Sequence, residues 1–317
     1  MAERVLVTGG SGFIGYHLAR RLVEDGAEVV VLDDFSRGRL DADFQELLEH
    51  VRLVRHDLRA PVPADLVTGP FDAVYHLAAV VGVQRTLDRP AHVLSTNVLA
   101  VLNLMDWCRA NPPGVLFFSS TSEIADGAVR TGLAHLPAPE SVPYVAVEPW
   151  APRTAYSLSK ITGELLLTQC AADFPVRIGR YHNVYGPRMG DSHVIPQFLR
   201  RALAGADPFA VYGPHQTRAF CYVADAVTAT VALTGSGAPG ALVANIGNDS
   251  EEITAEQLAL RVLDVVGHHP KLELLGPPAG SPDRRLPDLT ALRDLTGYEP
   301  RVPLAEGLRL THEWYAR

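Results

Sequence analysis

The chain opens on an apolar run, Val5-Leu6-Val7, that gives way at Thr8 to TGGSGFIG, after which Ile14, Leu18 and Leu22 recur at helical spacing. That pattern reads as a strand, a glycine turn and a helix. A second run, AEVVVLDD, is a strand ending at Asp33 and Asp34. VRLVRHDL (51–58) and FDAVYHLAA (71–79) are further short strands. GVLFFSS (114–120) is continuously apolar and so a buried strand, and PVRIGRYHNVYGPR (175–188) supplies a sixth. Between them lie two long helices. Pro90 to Ala110 carries Val93, Val98, Val101, Leu102 and Met105 at helical spacing, and the other runs from about Arg153 to Ala172. Short apolar strands alternating with helices predict an α/β fold, a doubly wound parallel sheet whose ligands line the carboxyl ends of the strands.

Beyond the sixth strand the alternation breaks into shorter pieces. VIPQFLRRALAG is a helix, FAVYG a short strand, and QTRAFCYVADAV a strand turning into a helix. Thr254 and Gln257 make a capping box for a helix ending near Val266. The expected organisation is a dinucleotide-binding Rossmann domain over 1–180, with roughly 217–249 returning to it. A smaller C-terminal substrate domain takes 181–216 and 250–317, and no internal repeat is visible.

The glycine turn carries the first chemistry. Gly9 permits the tight turn, Gly12 lets a pyrophosphate approach bare backbone, and Gly15 lets helix and strand pack closely. The helix start then offers unpaired N–H groups to phosphates. Asp33 falls near the spacing of about 20 residues at which an acid meets the adenosine ribose. A carboxylate there repels a 2′-phosphate, so Asp33 and Asp34 favour NAD over NADP, although Arg37 nearby is able to receive such a phosphate. Ala78 and Ala79 leave room for a cofactor, His76 reads as a strand residue with a satisfied ring, and Asn97 either ties strands together or touches the site.

Composition narrows the partners. A 317-residue chain that is 47% hydrophobic and 20% charged is an ordinary globular protein of about two domains. The net charge of −8 argues against nucleic acid, and no apolar run is long enough to cross a membrane. A strand begins within four residues of the N-terminus, which leaves no room for a signal peptide. Cys108, Cys170 and Cys221 fit neither a disulfide framework nor a metal pattern, the histidines show no metal spacing, and a cytoplasmic location is expected. Lys160 and Lys271 are the only lysines, which draws attention to both.

The fifth strand ends in Ser119, Ser120, Thr121, Ser122 and Glu123, hydroxyls and a carboxylate placed where substrate should lie, unless they serve as a cap or turn. A loop of about thirty residues with four prolines follows, long enough to be a lid or binding loop. In PRTAYSLSK, Pro152 suits a first helical turn, and Tyr156 and Lys160 stand at i and i+4 on one face. An ammonium one turn away favours the phenolate of a tyrosine, otherwise a poor base at neutral pH. Arg284 and Arg285, between two prolines in SPDRRLPD, are either solvated or clamps for phosphate or carboxylate.

TGGSGFIG, Asp33, Asp57-Leu58, HLAA, SSTSE, YSLSK and RYHNVYGPR together resemble the extended short-chain dehydrogenase/reductases that act on nucleotide sugars, over essentially the whole chain. The C-terminal half is similar to UDP-glucuronate decarboxylases (UDP-xylose synthases) in NVYGPRM, VYG-x-x-QTRAFCYVAD and RRLPDL. The resemblance implies Tyr156 as base, Lys160 as its partner and holder of the cofactor ribose, and Thr121 on the sugar C4 oxygen. It puts Ser122, Glu123 and Arg285 at the decarboxylation, and Asn183, Arg188, Tyr212, Gln216 and Arg218 on the nucleotide-sugar substrate. Phe13, Ile14, Ser36, Asp57, Leu58, Leu77, Tyr181 and Val184 join the cofactor residues above, and the two long helices pair across a homodimer axis. Two stretches depart from the decarboxylase pattern: Ile124-Ala125-Asp126-Gly127 after Glu123, and VVGVQRTLDRP, which reads more like an epimerase.

The activity this implies is NAD-dependent decarboxylation of UDP-glucuronate through a 4-keto intermediate to UDP-xylose, with or without release of the 4-keto pentose. A 4-epimerase is the first rival. A 4,6-dehydratase ranks below it, because Ser122 stands where that reaction wants an acid. A non-catalytic NAD-binding protein ranks last, since Tyr156, Lys160 and Thr121 are all present.

Overall fold

The computed structural model describes residues 3–278 and 280–317. The first half runs β1 (Arg4–Thr8), α1 (Phe13–Glu24), β2 (Glu28–Asp33), α2 (Ala42–Leu47), β3 (Val51–Arg55), β4 (Ala73–His76), α3 (Val83–Asp88) and α4 (Pro90–Ala110). It continues through β5 (Val115–Thr121), α5 (Glu123–Arg130), α6 (Thr154–Thr168), a 3₁₀ turn at Gln169–Ala172 and β6 (Val176–Tyr181). Next come β7 (Val184–Tyr185), α7 (Val194–Leu203), β8 (Phe209–Tyr212), β9 (Thr217–Ala219), β10 (Cys221–Tyr222) and α8 (Val223–Thr234). The chain ends with β11 (Ala241–Ile246), β12 (Glu252–Thr254), α9 (Ala255–Val266), β13 (Leu272–Leu275), β14 (Arg284–Arg285), α10 (Thr290–Thr296) and α11 (Leu304–Tyr315).

Seven parallel strands form the main sheet in the order β3-β2-β1-β4-β5-β6-β11. Both of its faces are covered, which is why its strands read as nearly continuous apolar runs. Alternation along β1 divides the core: Val5 and Val7 pack with Leu18 of α1 and Val227 of α8, while Leu6 packs with Leu104 of α4 and Leu167 of α6. Strand order reverses between β1 and β4, and a crevice opens there at the carboxyl ends. Three smaller sheets, β10-β7, β12-β9-β14 and β13-β8, are built from the chain beyond β6.

Several local expectations need correction. The polar cluster after β5 does not start a structureless loop, because eight residues from Glu123 form α5, burying Ile124 and Ala128. Pro152 lies before the helix rather than in its first turn: Arg153 is the cap and α6 starts at Thr154. That helix tightens into a 3₁₀ turn over its last residues. The Thr254–Gln257 capping box forms with both reciprocal hydrogen bonds, and α9 ends on left-handed Gly267. Among the described residues, no helix is long and apolar enough to cross a membrane and no cluster of His, Cys, Asp or Glu is arranged to hold a metal.

Candidate active site

One cavity of about 700 Å³ runs along the crevice, from the ends of β1, β2 and β3 to the ends of β5 and β6. The glycine turn forms its floor. Gly9 has φ +75°, and a Cβ there would stand 2.6 Å from the Ala78 nitrogen, so the turn fits tightly against the end of β4. A Cβ on Gly15 would reach 2.1 Å from the Gly9 carbonyl oxygen, which fixes how closely α1 approaches the turn. Gly12 differs: its missing Cβ would meet only the Gly9 oxygen, at 3.2 Å, and otherwise open space. Gly12 is also the N-cap of α1 and offers no side-chain cap, so the helix's first N–H groups, those of Phe13 and Ile14 among them, face the cavity.

The acid at the end of β2 locks this turn in place. Asp33 accepts from the Ser11 N–H at 2.9 Å and the Phe35 N–H at 2.8 Å, while the buried Ser11 hydroxyl keeps no partner. Asp34 accepts from the Ser36 N–H at 2.8 Å. Asp57 is engaged by the Arg59 guanidinium at the cavity rim, and Leu58 beside it is buried. Leu77, Ala78 and Ala79 line the wall. The His76 ring is satisfied by Thr8 Oγ1 at 2.8 Å. Asn97 does not tie strands together: it bonds the Val80 backbone beyond β4 through its oxygen and nitrogen and Ser159 of α6 through its nitrogen, and it lines the cavity.

The other half gathers the titratable groups. Thr121, Ser122, Glu123, Tyr156, Lys160, Asn183 and Arg285 all line the cavity. Tyr156 has its pKa pushed up, first by burial and then by Glu123; the Thr121 hydroxyl, Arg37 and Arg285 pull the other way. Lys160 lies one turn further along α6 from it. Its Nζ donates to the Ser119 carbonyl at 2.7 Å and lies 4.8 Å from the Phe118 ring centroid. Burial lowers the Lys160 pKa to about 7, opposed by Glu164. Arg37 and Arg285, both remote from Tyr156 in sequence, act on the tyrosine in the direction that favours the phenolate.

Glu123 has its pKa raised by burial and Asp126 against the pull of Arg285 and Arg153. Arg285 reaches the cavity from β14, and both Arg284 and Arg285 are taken by carboxylates, Glu252 and Asp126. Burial works against the Arg285 charge, and Asp126 with Glu123 more than offsets it, leaving the pKa above its ordinary value.

Tyr181 and Val184 line the cavity, with the Tyr181 hydroxyl tied to Thr230 at 2.7 Å. Arg188 is placed differently from expectation: its guanidinium bonds Asp41 and the Arg39 carbonyl and lies 4.1 Å from the Tyr16 ring centroid, beside the cofactor half. Tyr212, Gln216 and Arg218 do not line the cavity. Tyr212 is exposed, Gln216 bonds Ser281, and Arg218 donates to the carbonyls of Thr217, Pro282 and Asp283. Cavity residues passed over in the sequence include the charged Arg85 and Arg153, and Asp126 stands just outside the lining on Arg285. Arg153 was findable, since it precedes Tyr156 by three residues and so shares its face. Asp126 sits in a stretch already marked as a departure.

Comparison with known proteins accords with this arrangement. Residues 5–247 match the NAD dependent epimerase/dehydratase family, and the chain belongs to it, as an extended short-chain dehydrogenase/reductase of the nucleotide-sugar kind. UDP-glucuronic acid decarboxylase 1 of Xenopus tropicalis is 33% identical over 99% of this chain and 72% of its own length. UDP-N-acetyl-alpha-D-glucosaminuronate decarboxylase of Bacillus cytotoxicus is 33% identical over 99% of this chain and 98% of its own. Among solved structures, MoeE5 in complex with UDP-glucuronic acid and NAD superposes with a TM-score of 0.85 at 27% identity, covering 99% of both chains. DesIV, a dTDP-glucose 4,6-dehydratase from Streptomyces venezuelae with NAD and TYD bound, gives 0.86 at 28% identity, covering 99% of this chain and 97% of its own. NAD is the family's cofactor, and the cradle fits it: Gly12 is open to a pyrophosphate, Ser11 Oγ is unpaired, and Asp33 borders the same cavity.

Proposed function

We propose that this chain removes the C6 carboxyl group of UDP-glucuronate, forming UDP-xylose or releasing the 4-keto pentose on the way. The observation that carries this reading is Arg285: a sheltered guanidinium, brought from far along the chain into one cavity with Glu123, Thr121 and Tyr156. Gly12, the start of α1 and Asp33 would hold NAD, which supplies a hydride acceptor for the sugar's C4 and returns the hydride later. Tyr156 takes the C4 hydroxyl proton while Thr121 holds that oxygen. Oxidation at C4 makes the C6 carboxylate a β-keto acid, which loses CO2 as its electrons move into an enolate. Arg285 orients the carboxylate, and Glu123, whose pKa burial raises, is placed to deliver a proton to C5. Lys160, Asn97 and the Ser119 carbonyl keep α6 and β5 in register behind the reacting ring.

In this proposal residues 1–180, with 217–249, form the cofactor domain, and 181–216 with 250–317 receive the nucleotide. Arg188 already lines the cavity, whereas Tyr212, Gln216 and Arg218 reach the nucleotide diphosphate as the smaller domain closes on it. The protomers pair through α4 and α6. A 4-epimerase remains the second reading, and one observation favours it: the Arg285 fork is already filled by Asp126. Incubation with UDP-glucuronate separates the two. CO2 with UDP-xylose or its 4-keto precursor is expected, whereas UDP-galacturonate without CO2 makes the chain an epimerase.

A further inference from the structure

Asp126 lies in the stretch that departs from the decarboxylase pattern, and among the described residues Arg285 is its one hydrogen-bonding partner. Arg285 Nε donates to one Asp126 oxygen at 3.0 Å and Nη2 donates to the other, a bidentate pair across 159 residues of chain. Both partners stand on fixed backbone. β14 pairs in parallel with β9, setting Arg285 opposite Arg218, and Ala138 bridges Leu286 and Asp288 just beyond. On the other side, a Cβ at Gly127 would strike the Val145 carbonyl at 1.7 Å, so α5 lies hard against the segment before α6. The pair is also sheltered, with side-chain exposures of 13% for Arg285 and 27% for Asp126. Of the other charged groups around it, Glu123 also carries acid, while Arg218 gives its donors to backbone carbonyls and Arg153 has no ion-pair partner among the described residues.

A C6 carboxylate entering this cavity meets a guanidinium whose two-pronged edge is occupied and whose charge is matched. We propose that Asp126 is a specificity-determining residue: it holds Arg285 by the fork that a sugar carboxylate would take, and so lowers the cavity's preference for a uronate over a neutral hexose. The consequence is a site that admits both kinds of nucleotide sugar, with Arg285 offering a uronate its end-on Nη1/Nη2 edge while Asp126 holds the side-on Nε/Nη2 fork. This rests on the cavity being a nucleotide-sugar site and extends that reading to substrate range.

The test reads binding in NAD-loaded protein carrying Tyr156→Phe, which silences turnover. UDP-glucuronate and UDP-glucose are titrated calorimetrically into this protein and into the same protein with Asp126→Asn or Asp126→Glu. Asp126→Asn is expected to tighten UDP-glucuronate about ten-fold, the scale on which one hydrogen bond to a charged group contributes once Arg285 is free to make it, and to leave UDP-glucose within about two-fold. Asp126→Glu keeps the charge and should keep the original ratio. In an Arg285→Gln background Asp126→Asn should no longer shift the ratio, because Asp126 acts through Arg285. Equal shifts for both ligands, or weaker UDP-glucuronate binding in Asp126→Asn, overturn the proposal. If Asp126→Asn does not fold, Asp126→Ser reads the same ratio. Wild-type protein that binds both sugars but releases no CO2 overturns the decarboxylase reading and leaves the ratio intact; protein that binds neither overturns both.

Discussion

Tyr156 occupies surroundings that oppose its own ionisation, and that decides how it works. Burial and Glu123 raise its pKa while the Thr121 hydroxyl, Arg37 and Arg285 pull it down, so the base role proposed for Tyr156 depends on positive charge around the hydroxyl. Tyr156→Phe should reduce turnover of a nucleotide sugar by a factor of at least about 10³, while NAD affinity changes by less than about three-fold. Calorimetric NAD titration beside a steady-state assay checks both, and normal turnover would remove Tyr156 from the base role. Lys160 carries a separate, stability-based prediction. Its pKa is about 7 when folded, because burial penalises the ammonium, against about 10.4 in an unfolded chain. Across that interval the unfolded chain binds more protons, so this group's contribution to stability rises with pH. The cost of burying the ammonium is complete below about pH 7 and fades as the pH climbs towards the unfolded value. The groups facing it are Glu164 on its own helix, the Ser119 carbonyl and Phe118 ring on β5, and the His76 ring on β4. Lys160→Met should therefore gain most relative to wild type at pH 6 and least at pH 9 in denaturant titrations. A difference independent of pH would show that Lys160 titrates elsewhere.

Elements translate these residue preferences into position, and the glycine turn shows the division of labour. Gly15→Ala would drive a Cβ into a backbone oxygen that has no room to yield, so a loss of about 1–3 kcal/mol in stability is expected together with loss of NAD. Gly12→Ala meets almost nothing in the protein, so the fold should survive while NAD binding fails, because the methyl stands where pyrophosphate would approach. Thermal melts with and without NAD separate the two, and equal melting losses would contradict these different roles. Much of this level was legible beforehand. Strands buried on both faces advertise themselves as apolar runs, and α4 was placed at Pro90–Ala110, the bounds it has. α5 was not legible: only Ile124 and Ala128 turn inward, and the hydroxyl cluster before it reads equally well as a turn. β14 is shorter still, two arginines whose strand character comes wholly from pairing with β9. The site was legible to the same degree. Tyr156, Lys160 and the glycines share local motifs, whereas the Arg285–Asp126 pair joins segments 159 residues apart and leaves no local trace.

At the scale of the whole molecule, α4 and α6 pack on one another behind the cofactor half, and their outer faces stay apolar. Leu99 is 41% exposed on α4, and Leu158 and Leu165 are 38% and 64% exposed on α6, seven residues apart and so on one face. Leu94, Val98 and Leu102 of α4 and Ile161 of α6 add half-buried apolar surface. Contiguous apolar area of this kind is uncommon on a monomer. Covering it with the same two helices of a second copy gives a closed two-fold contact, in which each patch meets its own equivalent. Such an interface needs about 800 Å² from each partner to be stable, within the reach of two helices of 21 and 15 residues. The expected mass in solution by light scattering is thus twice that of the 34.3 kDa chain. Leu99→Glu combined with Leu165→Glu should shift it to the single chain without loss of helical signal, since neither side chain belongs to the buried core. Because α6 also carries Tyr156 and Lys160, separation of the protomers should lower turnover more than it lowers NAD affinity. A wild-type chain that runs as a monomer at micromolar concentration would leave these leucines without the role argued for them.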